Sequence, residues 1–162
     1  MQTYIGTKLV KARAMNRAEY NEYRGWNLPE NENGADDGYL VEYTDGGQAN
    51  HPDHAGYISW SPEAVFANAY HATSGGMTFG DALVMLKAGA KLARAGWNGK
   101  GMFVYHVPAA SYPVQTGAAK SHFGEGSMVP YNEYFAIKNV SDTVSTWVPS
   151  VNDAFAEDWL VV

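Results

Sequence analysis

The chain has 162 residues, enough for one ordinary domain or two small ones. Hydrophobic residues make up 46% of it and aromatic residues 14%, which supports a packed core and argues against wholesale disorder. The absence of cysteine excludes disulfides and thiolate catalysis, and the net charge of −6 argues against binding to DNA or RNA. No apolar run approaches the roughly 20 residues that cross a bilayer, so we expect a cytoplasmic protein without a membrane span.

The first part of the chain, residues 1–72, combines predicted strands with two short helices. Its strands are predicted at 4–12, 38–43 and 56–60. Asn16 and Glu19 form a capping box that starts the first helix. Ser61 is predicted to cap the second helix, with Pro62 at its first position. This second helix is predicted to turn inward the apolar residues Val65, Phe66 and Ala69.

The second part, residues 77–162, follows the small polar linker 71–76. Its two predicted helices begin with capping boxes at 78–81 and 150–153, each a hydroxyl residue followed three positions later by an aspartate. Strands are predicted at 102–107, 134–138, 144–148 and 159–162. The predicted fold class is therefore α+β, with short antiparallel sheets and a few helices in two small domains, 1–72 and 77–162.

A basic window interrupts this acidic sequence. Between Asp81 and Glu125 there is no acidic residue, and the window holds five cations: Lys87, Lys91, Arg94, Lys100 and Lys120. Such a patch indicates an anionic ligand small enough to be held at one place. The alternative is a basic helix face that lies in solvent.

The segment RAGWNGKGM, residues 94–102, is the strongest candidate for a binding site. Its glycines let backbone amides approach a ligand, and Arg94 and Lys100 supply charge for phosphate. Trp97 offers an aromatic face to a nucleobase, a contact worth roughly 1–3 kcal/mol. Asn98 presents one donor and one acceptor to polar ring edges. The alternative is a turn whose tryptophan plugs the core.

A second candidate surface is the segment WVPSVND, residues 147–153. Trp147, Ser150 and Asn152 surround the predicted start of the last helix, where backbone amides favour an anion. Asp153 is a candidate acceptor for a ribose hydroxyl or an adenine amino group, unless it is used to cap its own helix. Tyr105, on a predicted strand, is a candidate pocket wall, although aromatic strand residues are more often core.

The candidates for catalysis are weaker. His51, Asp53 and His54 stand close together in a polar loop and offer metal ligands, but no helix fixes their geometry. No histidine has an evident nucleophile and orienting carboxylate as partners. We therefore predict a non-enzymatic protein without a metal or other cofactor.

Three segments of the second part carry a family resemblance: MTFGDALVMLKAGAKLARAGWNGKGMFVYHV, MVPYNEYFAIKN and WVPSVNDAFAEDW. Over residues 77–162 the sequence resembles the second Thoeris anti-defence family of phages and prophages. The resemblance implies a non-catalytic homotetrameric sponge that holds cyclic ADP-ribose isomers between subunits, and in some members cyclic oligonucleotides of CBASS defence. It places Trp97, Asn98, Trp147, Ser150 and Asp153 in or beside the pocket.

The resemblance does not assign a role to two further stretches of the chain. Residues 108–127, rich in alanine, glycine and serine, exceed the length of compact relatives and suggest a lid or a subunit contact. Residues 1–72, with YRGWNLPENE and YISWSPEAVF, resemble another small phage module without an assigned activity.

The resulting hypothesis is a phage protein that sequesters an immune messenger in the cytoplasm of the infected host without cleaving it. Two alternatives remain open at this point. One is a metal-dependent enzyme that degrades the same signals through His51 and His54. The other is a phage accessory protein that binds a host protein through its acidic N-terminal part.

Overall fold

A computed structural model describes all residues, 1–162, as two compact units, Met1–Tyr70 and His71–Val162. Short antiparallel sheets combine with five helices, which confirms the predicted α+β class. None of these helices has the length and apolar character needed to span a membrane.

The first unit is a three-stranded antiparallel sheet with two helices. Its elements are β1 Val10–Ala14, α1 Arg17–Arg24, β2 Gly38–Tyr43, β3 Tyr57–Pro62 and α2 Glu63–Ala69. The strand order is β1-β2-β3, so β2 lies between two edge strands. Tyr20 of α1 packs with Leu40 and Ile58 of the sheet to form the core.

The first strand begins later than predicted. Strand β1 pairs with β2 from Val10, opposite Tyr43, to Ala14, opposite Tyr39. The residues before Val10 therefore have no partner strand. Tyr4 and Ile5 are largely exposed. Their apolar side chains fit a strand pattern, but a strand also requires a neighbour for its backbone hydrogen bonds.

The prediction that Ser61 caps the second helix was wrong. Ser61 belongs to β3, opposite Tyr39 of β2, and Pro62 occupies the cap position without a side-chain hydrogen bond. The pairing of β2 with β3 therefore includes Ser61, the residue that the sequence pattern predicted as the helix cap. Phe66 stacks on Tyr39 at 4.1 Å between ring centroids, whereas Val65 is exposed rather than turned inward.

The second unit contains a five-stranded antiparallel sheet of order β10-β4-β5-β8-β9 and a separate two-stranded ladder, β6-β7. Its elements are α3 Phe79–Lys87, β4 Leu92–Arg94, β5 Phe103–Val107, β6 Ala110–Pro113, α4 Gly117–Phe123, β7 Met128–Tyr131, β8 Tyr134–Lys138, β9 Val144–Trp147, α5 Val151–Ala154 and β10 Trp159–Val161. The core consists of Met77, Ala82, Leu86, Leu92, Val104, Ala156 and Trp159.

The predicted capping boxes are confirmed. Asn16, Thr78 and Ser150 each accept a hydrogen bond from the amide three residues on, and the acid there accepts one from the backbone amide of the cap. Each box satisfies amides that a helix leaves without a partner at its first turn. Strand β4 and the elements β6, α4 and β7 were not predicted.

A candidate ligand site around Trp97

Trp97 lies in an aromatic cluster that joins the turn after β4 to the core. Its ring centroid is 5.6 Å from that of Trp159 and 6.5 Å from that of Trp147, both in edge-to-face geometry. Trp159 is fully buried, and Trp97 and Trp147 are partly buried against the same core cluster. Trp97 thus has the packing role that the sequence offered as its alternative interpretation, while its contact with a ligand stays a prediction.

Arg94 connects the turn to the end of the chain. Its Nε donates to Asp158 Oδ1 at 2.7 Å, and its Nη1 donates to Asp153 Oδ1 at 3.0 Å. The Gly96 amide donates to Asp158 Oδ2 at 2.7 Å, and Trp97 Nε1 donates to Asp153 Oδ1 at 3.2 Å. The charge of Arg94 is therefore matched inside the chain by two carboxylates, and any ligand phosphate competes with them for it.

The sequence did not reveal Asp158 as part of this site. Arg94 and Asp158 are far apart in the chain and no local spacing links them. The antiparallel pairing of β4 with β10 sets Arg94 opposite Trp159 and so brings the preceding Asp158 beside Arg94. A predicted strand at 92–94, paired with the predicted final strand, would have been the signal.

Asp153 is the hub of the cluster, with 8% of the residue exposed. Its Oδ2 accepts from the Ser150 hydroxyl at 2.7 Å and from the Ser150 amide at 3.0 Å. Its Oδ1 accepts from Arg94 and Trp97. Asp153 thus caps its own helix, as the alternative interpretation held, and it also joins three segments of the unit.

The two carboxyls of this network have depressed pKa values. Burial alone would raise the pKa of Asp153, but hydrogen bonds from Ser150, Arg94 and Trp97 outweigh it and lower that pKa. The hydrogen bond from Arg94 is the main cause that lowers the pKa of Asp158. Both side chains are therefore ionised in the folded unit at neutral pH.

We expect this network to make the second unit sensitive to acid. A carboxyl with a lower pKa in the folded state stabilises fully above its unfolded pKa, about 3.9, and loses that contribution as pH falls through its folded pKa. Arg94→Met should flatten this acid dependence and cost about 2 kcal/mol at pH 7, between the values for exposed and buried pairs. Denaturant titrations from pH 7 to below pH 3 measure both effects, and an unchanged acid slope in Arg94→Met would contradict the assignment.

Other predicted residues keep their side chains free. Asn98 and Lys100 are exposed in the turn between β4 and β5, and their side chains form no hydrogen bond or ion pair within the chain. Asn152 is exposed as well, and its carbonyl accepts from Arg94 Nη1 at 3.3 Å. These side chains stand beside the packed cluster and are available to a ligand.

Tyr105 is not brought to this cluster within one chain. In β5 the neighbouring Val104 points into the core, and alternate strand residues point to opposite faces of a sheet. Tyr105 therefore lies on the other face, with its ring centroid 5.9 Å from that of Phe103. Within one chain, Tyr105 and Trp97 are therefore on opposite faces of the sheet.

The histidines proposed as metal ligands lie in the first unit and are engaged with protein atoms. His54 Nε2 is 3.0 Å from the Tyr23 hydroxyl, and His54 Nδ1 is 3.1 Å from Glu42 Oε2. His51 Nε2 is 3.3 Å from the Tyr23 carbonyl oxygen, and its Nδ1 accepts from the Asp53 amide at 3.3 Å. No group of three or more histidine, aspartate or glutamate side chains has a metal-binding arrangement.

The second unit is thus a small α+β domain whose candidate site combines a packed aromatic cluster, an internally paired arginine and an exposed polar turn. Residues 77–162 match the family described as Tad2-like, Thoeris anti-defense 2-like domain. The chain is also 38% identical over 87 residues to Thoeris anti-defense 2 of Bacillus phage SP01, an alignment that covers 53% of this chain and 94% of the phage protein. The chain belongs to the Thoeris anti-defense 2-like family, which confirms the predicted family and supports an anti-defence role.

Proposed function

We propose that residues 77–162 bind and sequester a cyclic nucleotide-derived immune messenger, a cyclic ADP-ribose isomer of the Thoeris system, without cleaving it. The observation that carries this proposal is the family match, which spans the whole second unit from Met77 onwards. The domain is also proposed to bind cyclic oligonucleotides of CBASS defence. The protein acts in the cytoplasm of the phage-infected bacterium and binds neither DNA nor RNA.

The turn 94–102 supports this proposal because hydrogen bonds anchor its start, while the polar side chains of Asn98 and Lys100 are exposed. Arg94 and Gly96 fix its start through Asp158, and β5 follows its end. The backbone that carries Asn98 and Lys100 is therefore anchored, so a ligand has to order only their side chains. Lys100 supplies the positive charge for a phosphate, because the charge of Arg94 is already matched.

The exposed apolar side chains around α5 support assembly of several copies, proposed as a homotetramer. Val148 and Phe155 are each 83% exposed and Val151 is 73% exposed. Large exposed apolar side chains grouped around one short helix favour an interface with another copy of the chain. Association at this surface is how pockets form between subunits, and it allows Tyr105 of one copy to join Trp97 of another.

Depletion of a scarce messenger requires nanomolar affinity, which corresponds to about −12 kcal/mol. An aromatic face, charge-assisted phosphate contacts and burial between subunits together supply binding of this strength. The proposed role needs no nucleophile or general acid at the pocket, because the messenger leaves intact.

Isothermal titration of the full chain with cyclic ADP-ribose isomers tests the proposal. We expect nanomolar binding of at least one isomer, release of the unchanged molecule on heating, and a tetramer with bound ligand in native mass spectra. Recovery of a cleaved product, with signal loss that depends on a chelator, would favour the metal-dependent enzyme. Absence of binding, with a host protein recovered from lysate instead, would favour the accessory-protein alternative.

A further inference from the structure

The first unit has a pocket of its own, with a volume of about 320 Å³, beside the edge strand β1. This volume lies at the lower end of the range found for small-molecule sites, roughly 300–1,000 Å³. Lys11 and Arg13 of β1 line it together with Tyr23, Glu42 and His54. All of these residues precede the part of the chain that matches the anti-defence family.

Tyr23, His54 and Glu42 form a chain of hydrogen bonds in this pocket. Glu42 Oε1 accepts from the Ala55 amide at 3.0 Å and the Gly56 amide at 3.1 Å, and Glu42 Oε2 is 3.1 Å from His54 Nδ1. In the tautomer of His54 that donates from Nδ1 to this carboxylate, Nε2 accepts from the Tyr23 hydroxyl, which lies 3.0 Å away. The phenol oxygen is thereby held in a fixed position at the pocket.

The ring of Tyr23 is fixed as well. His51 stacks on it at 4.4 Å between centroids, and the guanidinium carbon of Arg13 lies 4.9 Å from its centroid. A preorganised polar group at a pocket gives specificity at a small entropic cost.

The two cations of the pocket have no acidic partner. Lys11 and Arg13 are two residues apart on β1, so their side chains share one face of the sheet. Lys11 lies opposite Glu42, but the charge of Glu42 is directed to His54 and two backbone amides. Neither cation forms an ion pair, whereas the nearby Lys8 is paired with Asp45 at 2.8 Å. Two unpaired cations at one pocket favour an anion.

The pocket also contains a carboxylate, Asp53, that can accept hydrogen bonds from a ligand. Asp53 lines it, and 72% of its side chain is exposed, with His51 Nδ1 at 3.9 Å as its nearest ionisable partner. A carboxylate accepts hydrogen bonds from hydroxyl groups and repels phosphate, so a single phosphate is expected beside Lys11 and Arg13 and hydroxyl groups beside Asp53. The pocket therefore suits a ligand with one phosphate and several hydroxyls.

We propose that this pocket of the first unit binds a small phosphate monoester that bears hydroxyl groups, such as a sugar phosphate. Lys11 and Arg13 contact the phosphate, while the Tyr23 hydroxyl and Asp53 contact the remainder. This site is separate from the proposed messenger pocket and does not depend on it.

The test is a titration of the full chain with ribose 5-phosphate, inorganic phosphate and uncharged ribose, followed by the NMR resonances of the His54 and Tyr23 rings. We expect both phosphates to shift these resonances at millimolar concentration, ribose 5-phosphate at the lowest concentration, and ribose to leave them unchanged. Failure of both phosphates to bind, or equal binding of ribose and ribose 5-phosphate, would overturn the proposal.

Variants locate the site. Lys11→Met and Arg13→Met change exposed side chains and should each weaken ribose 5-phosphate binding by about tenfold or more, the value of one hydrogen bond to a charged group. Tyr23→Phe keeps the ring beneath Arg13 and should weaken ribose 5-phosphate more than inorganic phosphate. Lys8→Met, outside the pocket, and Lys100→Met, in the other unit, should bind as the parent protein does. Loss of binding in Lys100→Met, with Lys11→Met unaffected, would overturn the assignment.

Discussion

Asp153→Ala is expected to lower the free energy of unfolding of the second unit by about 3 kcal/mol, the lower end of the cost of removing one partner of a buried ion pair. Asp153 is almost fully buried and accepts hydrogen bonds from Arg94, Trp97 and Ser150. Its removal leaves the guanidinium with Asp158 and the Asn152 carbonyl as partners, and the indole N–H of Trp97 with none. It also removes half of the capping box that starts α5.

Hydrogen exchange of the amides of β4 and β10, measured against denaturant, reports the stability of this unit separately from the other. Glu157→Ala is the matched control, since Glu157 is an exposed acid near the end of the same segment and forms no hydrogen bond or ion pair. This control should change stability by less than about 0.5 kcal/mol. A similarly small effect of Asp153→Ala would show that Asp153 is not structural, and would strengthen its assignment as a ligand contact.

The fold was predictable where the signal is local. A capping box lies within four residues, and the strand 134–138 shows an alternation that its own residues define, so both were found with the correct bounds. Strand β4 was missed because its three residues hold no periodicity, and its strand geometry depends on pairing with β5 and with the distant β10. The pair β6 and β7 was missed because α4 separates the two strands.

The residues of the candidate site could be proposed from the sequence, but the contacts that each makes within the fold could not. The motif around Trp97 pointed to the segment 94–102, whose contacts with a ligand stay a prediction. Only the tertiary structure shows that Arg94 faces two carboxylates while Lys100 faces none. The carboxylate of Asp158 comes from the far end of the chain, so no spacing in the sequence links it to Arg94. The face of Tyr105 depends on the register of β5, which a shift of one residue would reverse.

Lys100→Met is expected to weaken capture of the messenger by about 10- to 100-fold while leaving the fold intact. Lys100 is exposed and has no partner within the chain, so its loss removes no internal interaction. A hydrogen bond between a charged donor and a phosphate contributes about 1.5–3 kcal/mol, which corresponds to this loss of affinity. Calorimetric titration with the cyclic ADP-ribose isomer that binds the parent protein measures the change, and a thermal melt of each variant checks the fold.

Lys87→Met provides the matched control for this experiment. Lys87 is also an exposed lysine without an ion pair in the same unit, but it lies in the last turn of α3, outside the turn that holds Trp97. If the ligand responds to overall charge, both variants lose affinity equally, and more weakly at high salt. If the turn 94–102 contacts the phosphate directly, only Lys100→Met loses affinity. Equal affinities of Lys100→Met and the parent protein would assign the phosphate to Arg94, which would then have to exchange a carboxylate for the ligand.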